Sequence, residues 1–171
     1  SATHCRALTP PCDLNRRLTA TLILDTYRTC TPPHHAEVAL YQLLERALDH
    51  LEALDPTIYL VRFFIRFMSL SGFAPQLQRC LVCSEVFSGK ACRLHEEAGF
   101  VCQRCAAEQA AMRLGETLEL PVLKDLALIQ QRKQPLEPHP QMVTTMRRLL
   151  ESCFDKELKS APIVEEALAT P

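Results

Sequence analysis

Four cysteines stand at a spacing that suits zinc. Cys80 and Cys83 form one C-x-x-C pair and Cys102 and Cys105 a second, with eighteen residues, Ser84 to Val101, between them. Zinc takes four tetrahedral ligands with Zn–S near ~2.3 Å, and two residues between cysteines let one tight turn present both sulfurs to the same ion. Two such turns on a short β-hairpin would complete the shell, with Phe87, Phe100 and Val101 as candidate strand residues. Four thiolates leave no open position for water, so the expected Zn2+ is structural: it fixes a hairpin too small to bury its own core. Formally, four thiolates against the dication leave a local charge of about −2. Arg79, Lys90, Arg93 and Arg104 flank the cysteines in sequence. They either offset that charge and donate hydrogen bonds to sulfur, or form a phosphate-binding patch. Cys92 and His95 sit inside the intervening loop as alternative ligands, and Cys5, Cys12, Cys30 and Cys153 read as free or buried thiols.

Other chemistries fit poorly. His95-Glu96-Glu97 followed by Cys102-x-x-Cys105 mimics the H-x-E…P-C-x-x-C signature of zinc deaminases. Here, however, only four residues separate Glu97 from Cys102, Val101 stands where proline is needed, and the pair Cys80/Cys83 would have no role. A dithiol redox motif usually comes singly, beside a βαβ pattern that this chain lacks. No glycine-rich phosphate loop and no G-x-S-x-G elbow occurs. We therefore expect no enzyme.

The elements around the cysteines read as helices. Asp13 can cap a helix with Leu14, Leu18, Leu22 and Tyr27 on its apolar side, stopped by Pro32-Pro33. A second helix runs from about Ala36 to Leu54. Asp55-Pro56 starts a third, to about Leu70, that is apolar nearly all round and so belongs at the centre of a bundle. Its two arginines, Arg62 and Arg66, lie one turn apart on one face. Beyond the cysteines the pattern predicts a helix from near Cys102 to Gly115, an amphipathic stretch from Leu118 to Arg132 broken by Pro121, and a helix from about Gln141 to Leu158 followed by Pro162. The fold class is mainly α: a helical bundle with an inserted four-cysteine zinc module on a short β-hairpin. The expected organisation is a tail or upstream remnant at 1–12, bundle at 13–77, zinc module at 78–107, bundle at 108–160 and a C-terminal tail at 161–171.

Composition agrees. Apolar residues make up 47% of 171 residues, with four glycines and no tryptophan, which suits a helix-rich globular chain. The formal net charge of −1 argues against wrapping nucleic acid by charge alone, so any phosphate contact needs a local patch. No segment carries about 18 uncharged apolar residues in a row, and no signal-peptide pattern opens the chain, so we expect no membrane span and a cytoplasmic location.

The run Tyr59-Leu-Val-Arg-Phe-Phe-Ile-Arg-Phe-Met-Ser-Leu-Ser-Gly-Phe-Ala-Pro-Gln-Leu-Gln-Arg-Cys-Leu-Val-Cys83 resembles the C-terminal region of the bacterial DNA repair protein RecO. That family has an apolar helix with basic residues, here Arg62 and Arg66, then a Gly-aromatic-x-Pro turn, here Gly72 to Pro75, then the first C-x-x-C. Phe87-Ser88, Gly99 and Cys102-x-x-Cys105 match its second half, and Glu157-Leu158-Lys159-Ser160 resembles its closing L-K-S segment. The resemblance covers about Asp13 to Ser160. It implies a non-enzymatic mediator of recombinational repair that binds single- and double-stranded DNA and anneals strands. It also implies contact with the acidic tail of single-strand binding protein and, together with RecR, loading of RecA. The family layout places an OB-fold domain before the helical domain; no OB-like set of strands precedes Asp13, so the chain is either a fragment or a member that has lost that domain. Ser84 stands where glycine commonly follows the first cysteine pair, and glycine there eases the turn around the metal.

Arg62 and Arg66 are the charges of most interest. They either snorkel or pair with acids on a neighbouring helix, or anchor an acidic, aromatic-tipped partner tail beside an apolar groove. Phe63 and Phe67 either line that groove or belong to the core. Arg79, Arg93, Arg104 and Lys159 are the candidate DNA contacts; Arg132-Lys133 and Arg147-Arg148 either contact phosphate or form solvated helix faces.

Overall fold

The computed structural model describes residues 13–32, 37–52, 54–95, 99–108, 114–133 and 137–169. The expected tail at 1–12, with Cys5 and Cys12, lies outside the described residues.

Helix α1 (Leu14–Cys30) starts where Asp13 accepts the Arg16 N–H at 2.9 Å. Helix α2 (Val38–Asp49) buries Leu40, Leu44 and Ala47, and ends short of the expected Leu54 in a turn at His50. Helix α3 (Pro56–Leu70) opens with Asp55 accepting the Thr57 and Ile58 N–H groups, while Pro56 occupies the first turn, where no N–H is needed. Its apolar circumference is buried, and it packs against α1, α2, α5 and α6, as the sequence pattern requires of a central helix. Gly72 ends it at φ +87: the Phe73 N–H reaches back to the Met68 carbonyl and the Gly72 N–H to that of Ser69.

The cysteine region follows. Strands β1 (Ala91–His95) and β2 (Gly99–Cys102) form the expected hairpin, with Cys92 opposite Cys102 and Leu94 opposite Phe100. Phe87 is buried but lies outside it. Two expectations are corrected. After the short α4 (Gln103–Glu108), Leu114–Glu119 is not helix but strand β3, which pairs antiparallel with β1 to give the order β2-β1-β3. Tertiary pairing overrides local pattern here: Leu118 is fully buried while its neighbours Thr117 and Glu119 are exposed, the alternation of a half-buried strand. Pro121 therefore does not break a helix; it sits in the first turn of α5 (Leu120–Gln130).

Helix α6 (Pro140–Phe154) stops four residues before the expected Leu158, at Asp155 in the left-handed region. The expected C-terminal tail at 161–171 is instead largely helix α7 (Ala161–Ala169), which docks on α1 and α6 through Ala161 and Val164. Pro162 is the second residue of α7, and in a first turn its missing N–H removes no helical bond. Asp25 latches this end, accepting from the Ser160 N–H at 3.1 Å and the Ser160 hydroxyl at 2.7 Å. Arg147 pairs with both Glu151 and Glu165, joining α6 to α7.

The sheet and the bundle share one core, which runs from Leu22 and Phe64 through Phe100 and Leu118 to Leu150. Arg148 and Thr145 of α6 reach Glu116 of β3, and Gln130 of α5 donates to the Pro75 carbonyl. None of the described helices is long and apolar enough to cross a membrane.

Candidate functional site

The sulfurs of Cys80, Cys83, Cys102 and Cys105 all lie within 4.8 Å of one another. Tetrahedral thiolates at ~2.3 Å from an ion stand ~3.8 Å apart, and Cys83 and Cys102 are at 3.9 Å. The four therefore form a group that can hold a metal ion. Among the described residues, that group includes neither Cys92 nor His95.

Each pair is presented by a turn. The Cys80 N–H donates to the Glu85 carbonyl, and the Ser84 N–H to the Cys80 carbonyl, folding the first knuckle back on itself. Closing it puts Ser84 at φ +59, the region glycine favours. The knuckle is tied to the hairpin by the Leu81 N–H donating to the Phe100 carbonyl, and an added Cβ on Gly99 would meet Leu81 at 3.0 Å. Any larger residue at 99 would have to push the Leu81 side chain aside by a few tenths of an ångström.

The electrostatics favour thiolate at one end of the group. Burial raises the Cys80 thiol, but N–H groups of Cys102 and Val82, each 3.4 Å from its sulfur, help pull it down to about 6. Cys105 is pushed up to about 12 by the Cys102 sulfur, by burial and by the sulfurs of Cys83 and Cys80. Four sulfurs this close cannot all be anionic without a cation, and a dication supplies what they lack. Cys92 and Cys30 are different: burial pushes each thiol to about 12, as befits apolar core residues.

A second feature lies between α2, α3 and the end of α5. It is a groove of about 440 Å³ with Leu43, Ala47, Phe63, Ile65 and Ile129 among its apolar lining. Its charged and ionisable margin is made of Arg46 and His50 from α2, Tyr59, Arg62 and Arg66 from α3, and Arg132 after α5; among the described residues no carboxylate lines it. Tyr59 fixes the crossing of α2 and α3 by donating to the Ala47 carbonyl at 2.9 Å. The Arg62 Nε is buried and has no hydrogen-bond partner among the described residues. Arg132 stands at φ +63, where the Arg132 and Lys133 N–H groups close the end of α5 onto Ile129 and Leu128.

Comparison with known proteins decides the family. The family model "Recombination protein O C terminal" matches residues 12–163. The chain belongs to the RecO C-terminal family. It is 28% identical over 120 residues to the DNA repair protein RecO of Desulfatibacillum aliphaticivorans, covering 67% of this chain and 45% of that one. It is 31% identical over 94 residues to the RecO of Pelobacter propionicus (54% and 38%). With the RecO of Halalkalibacterium halodurans it shares 24% over 152 residues (84% and 57%). The chain thus spans about half the length, or less, of these RecO relatives. No solved structure matches it.

Within this RecO-family chain the other candidate residues are spread out. Arg93 is committed to the sheet: its guanidinium donates to the Gly115 and Leu114 carbonyls, clamping the start of β3 where the register shifts. Arg79 donates to the Ser84 carbonyl at 3.1 Å. Arg104 pairs with Glu85 at 2.9 Å; that carboxylate, then the Cys83 sulfur, raises its already high pKa. Arg79 and Arg104 thus bind the module's own atoms, and Arg93 ties the module to β3. Lys159 is exposed in the α6–α7 connection, on a different element. The sequence did place Arg62 and Arg66 together with Phe63 buried beside them, while Phe67 is core. It missed Arg46, His50 and Arg132. A signal existed for two of them: Leu43, Arg46, Ala47 and His50 recur at steps of three and four on α2, mirroring Tyr59, Arg62, Phe63 and Arg66 on α3.

Proposed function

We propose that this chain is the partner-binding part of a cytoplasmic, nucleoid-associated bacterial recombination mediator, non-enzymatic, with one structural Zn2+ on Cys80, Cys83, Cys102 and Cys105. Its groove takes the acidic, aromatic-tipped C-terminal tail of single-strand binding protein. In the full mediator this docking accompanies binding of single- and double-stranded DNA, strand annealing, and RecA loading with RecR.

The observation that carries the reading is the groove's composition: four arginines around an apolar floor, with no acid lining it among the described residues. An aromatic side chain buries its ring on such a floor, while carboxylates meet guanidinium forks, whose paired donors match carboxylate geometry. A DNA strand is a poorer match, since the cations converge on a pocket rather than follow a line. Phosphate contact by Arg79, Arg93, Arg104 and Lys159 belongs to the reading as a secondary, salt-sensitive surface.

The test is binding of a fluorescent peptide carrying that tail, by anisotropy, at two salt concentrations and beside a scrambled peptide. Specific, salt-sensitive binding is expected, weakened at least tenfold by Arg62→Ala/Arg66→Ala, because a tenfold loss corresponds to about 1.4 kcal/mol and charge-assisted contacts are worth about that much each. Absence of binding by the zinc-loaded chain would overturn the assignment of the groove.

A further inference from the structure

The His50 ring lines the groove beside four arginines, and nothing in the tail-docking reading assigns it a role. Its geometry fixes how it can titrate. The Nδ1 atom lies 2.9 Å from the Arg46 carbonyl oxygen, which can only accept, so Nδ1 carries a hydrogen. The site that gains or loses a proton is therefore Nε2. Adding that proton leaves the existing hydrogen bond intact and needs no movement of the ring.

Two opposing fields act on it. His50 caps the C-terminus of α2, whose carbonyl end favours a cation. The guanidinium groups of Arg46, Arg62, Arg66 and Arg132 disfavour one. Among the described residues the other ionisable group of the lining is Tyr59, whose hydroxyl burial pushes up, so it stays neutral; Asp49 is a carboxylate that acts on Tyr59 from this end of α2. An anionic ligand in the groove changes the balance, because its carboxylates offset the arginines while the helix end still favours imidazolium.

We infer that His50 is a proton-coupled contact of the groove: an acidic peptide binds together with one proton taken up at His50 Nε2, so affinity rises as pH falls through the histidine range. This rests on the tail-docking reading and adds to it a pH dependence and a fifth cation. The sign follows from linkage. The bound complex holds the proton more tightly than the free groove, so binding strengthens as protons become more available. Carboxylates of the peptide titrate well below the histidine range.

The experiment measures the affinity of the zinc-loaded chain for the N-terminally blocked tail peptide at pH 6.0 and pH 8.0, at constant ionic strength. One added charge pair near a protein surface should tighten binding roughly three- to tenfold at the lower pH. His50→Gln should bring the ratio of the two affinities close to one. His50→Lys, charged at both pH values, should also give a ratio near one, with the tighter affinity of the wild type restored at pH 8.0. Circular dichroism at both pH values establishes that each variant is folded. Binding whose affinity is the same at both pH values, or a ratio that survives in His50→Gln, overturns the role of His50 while leaving tail docking standing. A peptide that fails to bind at either pH overturns both.

Discussion

The four-thiol centre and the basic groove are built in opposite ways. The centre is assembled from two turns that the chain makes locally, bridged by a hairpin, and its four donors converge because their spacing allows little else. The groove is assembled from side chains as far apart in sequence as Leu43 and Arg132, on three elements that need the whole core to meet. Both regions also hold a non-glycine residue in the left-handed conformation, Ser84 in the first knuckle and Arg132 at the end of α5. At Ser84 the side chain adds little that a glycine would lack. At Arg132 the side chain carries one of the groove's charges. Similar backbone strain therefore has two meanings.

The largest expected effect breaks the centre. Cys105→Ser should abolish stoichiometric zinc binding and, since a structural zinc site contributes on the order of 10 kcal/mol of apparent binding energy, unfold at least the β2-β1-β3 sheet. Metal analysis and amide hydrogen exchange of residues 91–119 check this; an unchanged melting temperature on zinc removal would mean the cysteines are not a metal centre.

Next, Arg132→Gly separates groove from fold. Glycine relieves the positive φ, so stability should hold or rise by up to about 1 kcal/mol. Tail affinity should nevertheless fall roughly three- to tenfold, as loss of one charge-assisted contact implies. A thermal melt beside the peptide titration reads both. Loss of stability without loss of affinity would make Arg132 structural.

A smaller effect tests whether the bundle is held independently of both regions. Burial raises Asp25, but hydrogen bonds from the Ser160 N–H and hydroxyl and from Thr29, with Arg28 nearby, bring it below the usual carboxylate range. A carboxylate depressed on folding stabilises above its unfolded pKa, about 3.9, and that stability is lost as pH falls through the lower folded value. Asp25→Asn should thus lower stability at pH 7 by about 1 kcal/mol. The gap to the wild type should close as the pH is taken below 4, with zinc content unchanged at neutral pH. Denaturant titrations at a series of pH values measure it.

The smallest effect is Ser84→Gly. It should stabilise the zinc-loaded chain by about 0.5–1 kcal/mol and leave tail binding unaffected, the reverse of the pattern at Arg132. Equal effects at the two positions would erase the distinction between them.

Much of this molecule was legible from residue order, because the forces involved are local. The caps at Asp13 and Asp55, the stop at Gly72, the all-round apolar α3 and the two cysteine pairs each act within a few residues. What residue order did not decide was partnership across distance. Leu114–Glu119 became a strand because β1 offered its free edge and the core accepted Leu118. The segment after Ser160 became α7 because Asp25, 135 positions earlier, receives its first polar groups. Arg62 and Arg66 were visible as a pair on one helical face. Only packing could set the α2 stripe and the end of α5 against them, since a pocket of like charges exists only where tertiary contacts outweigh their mutual repulsion.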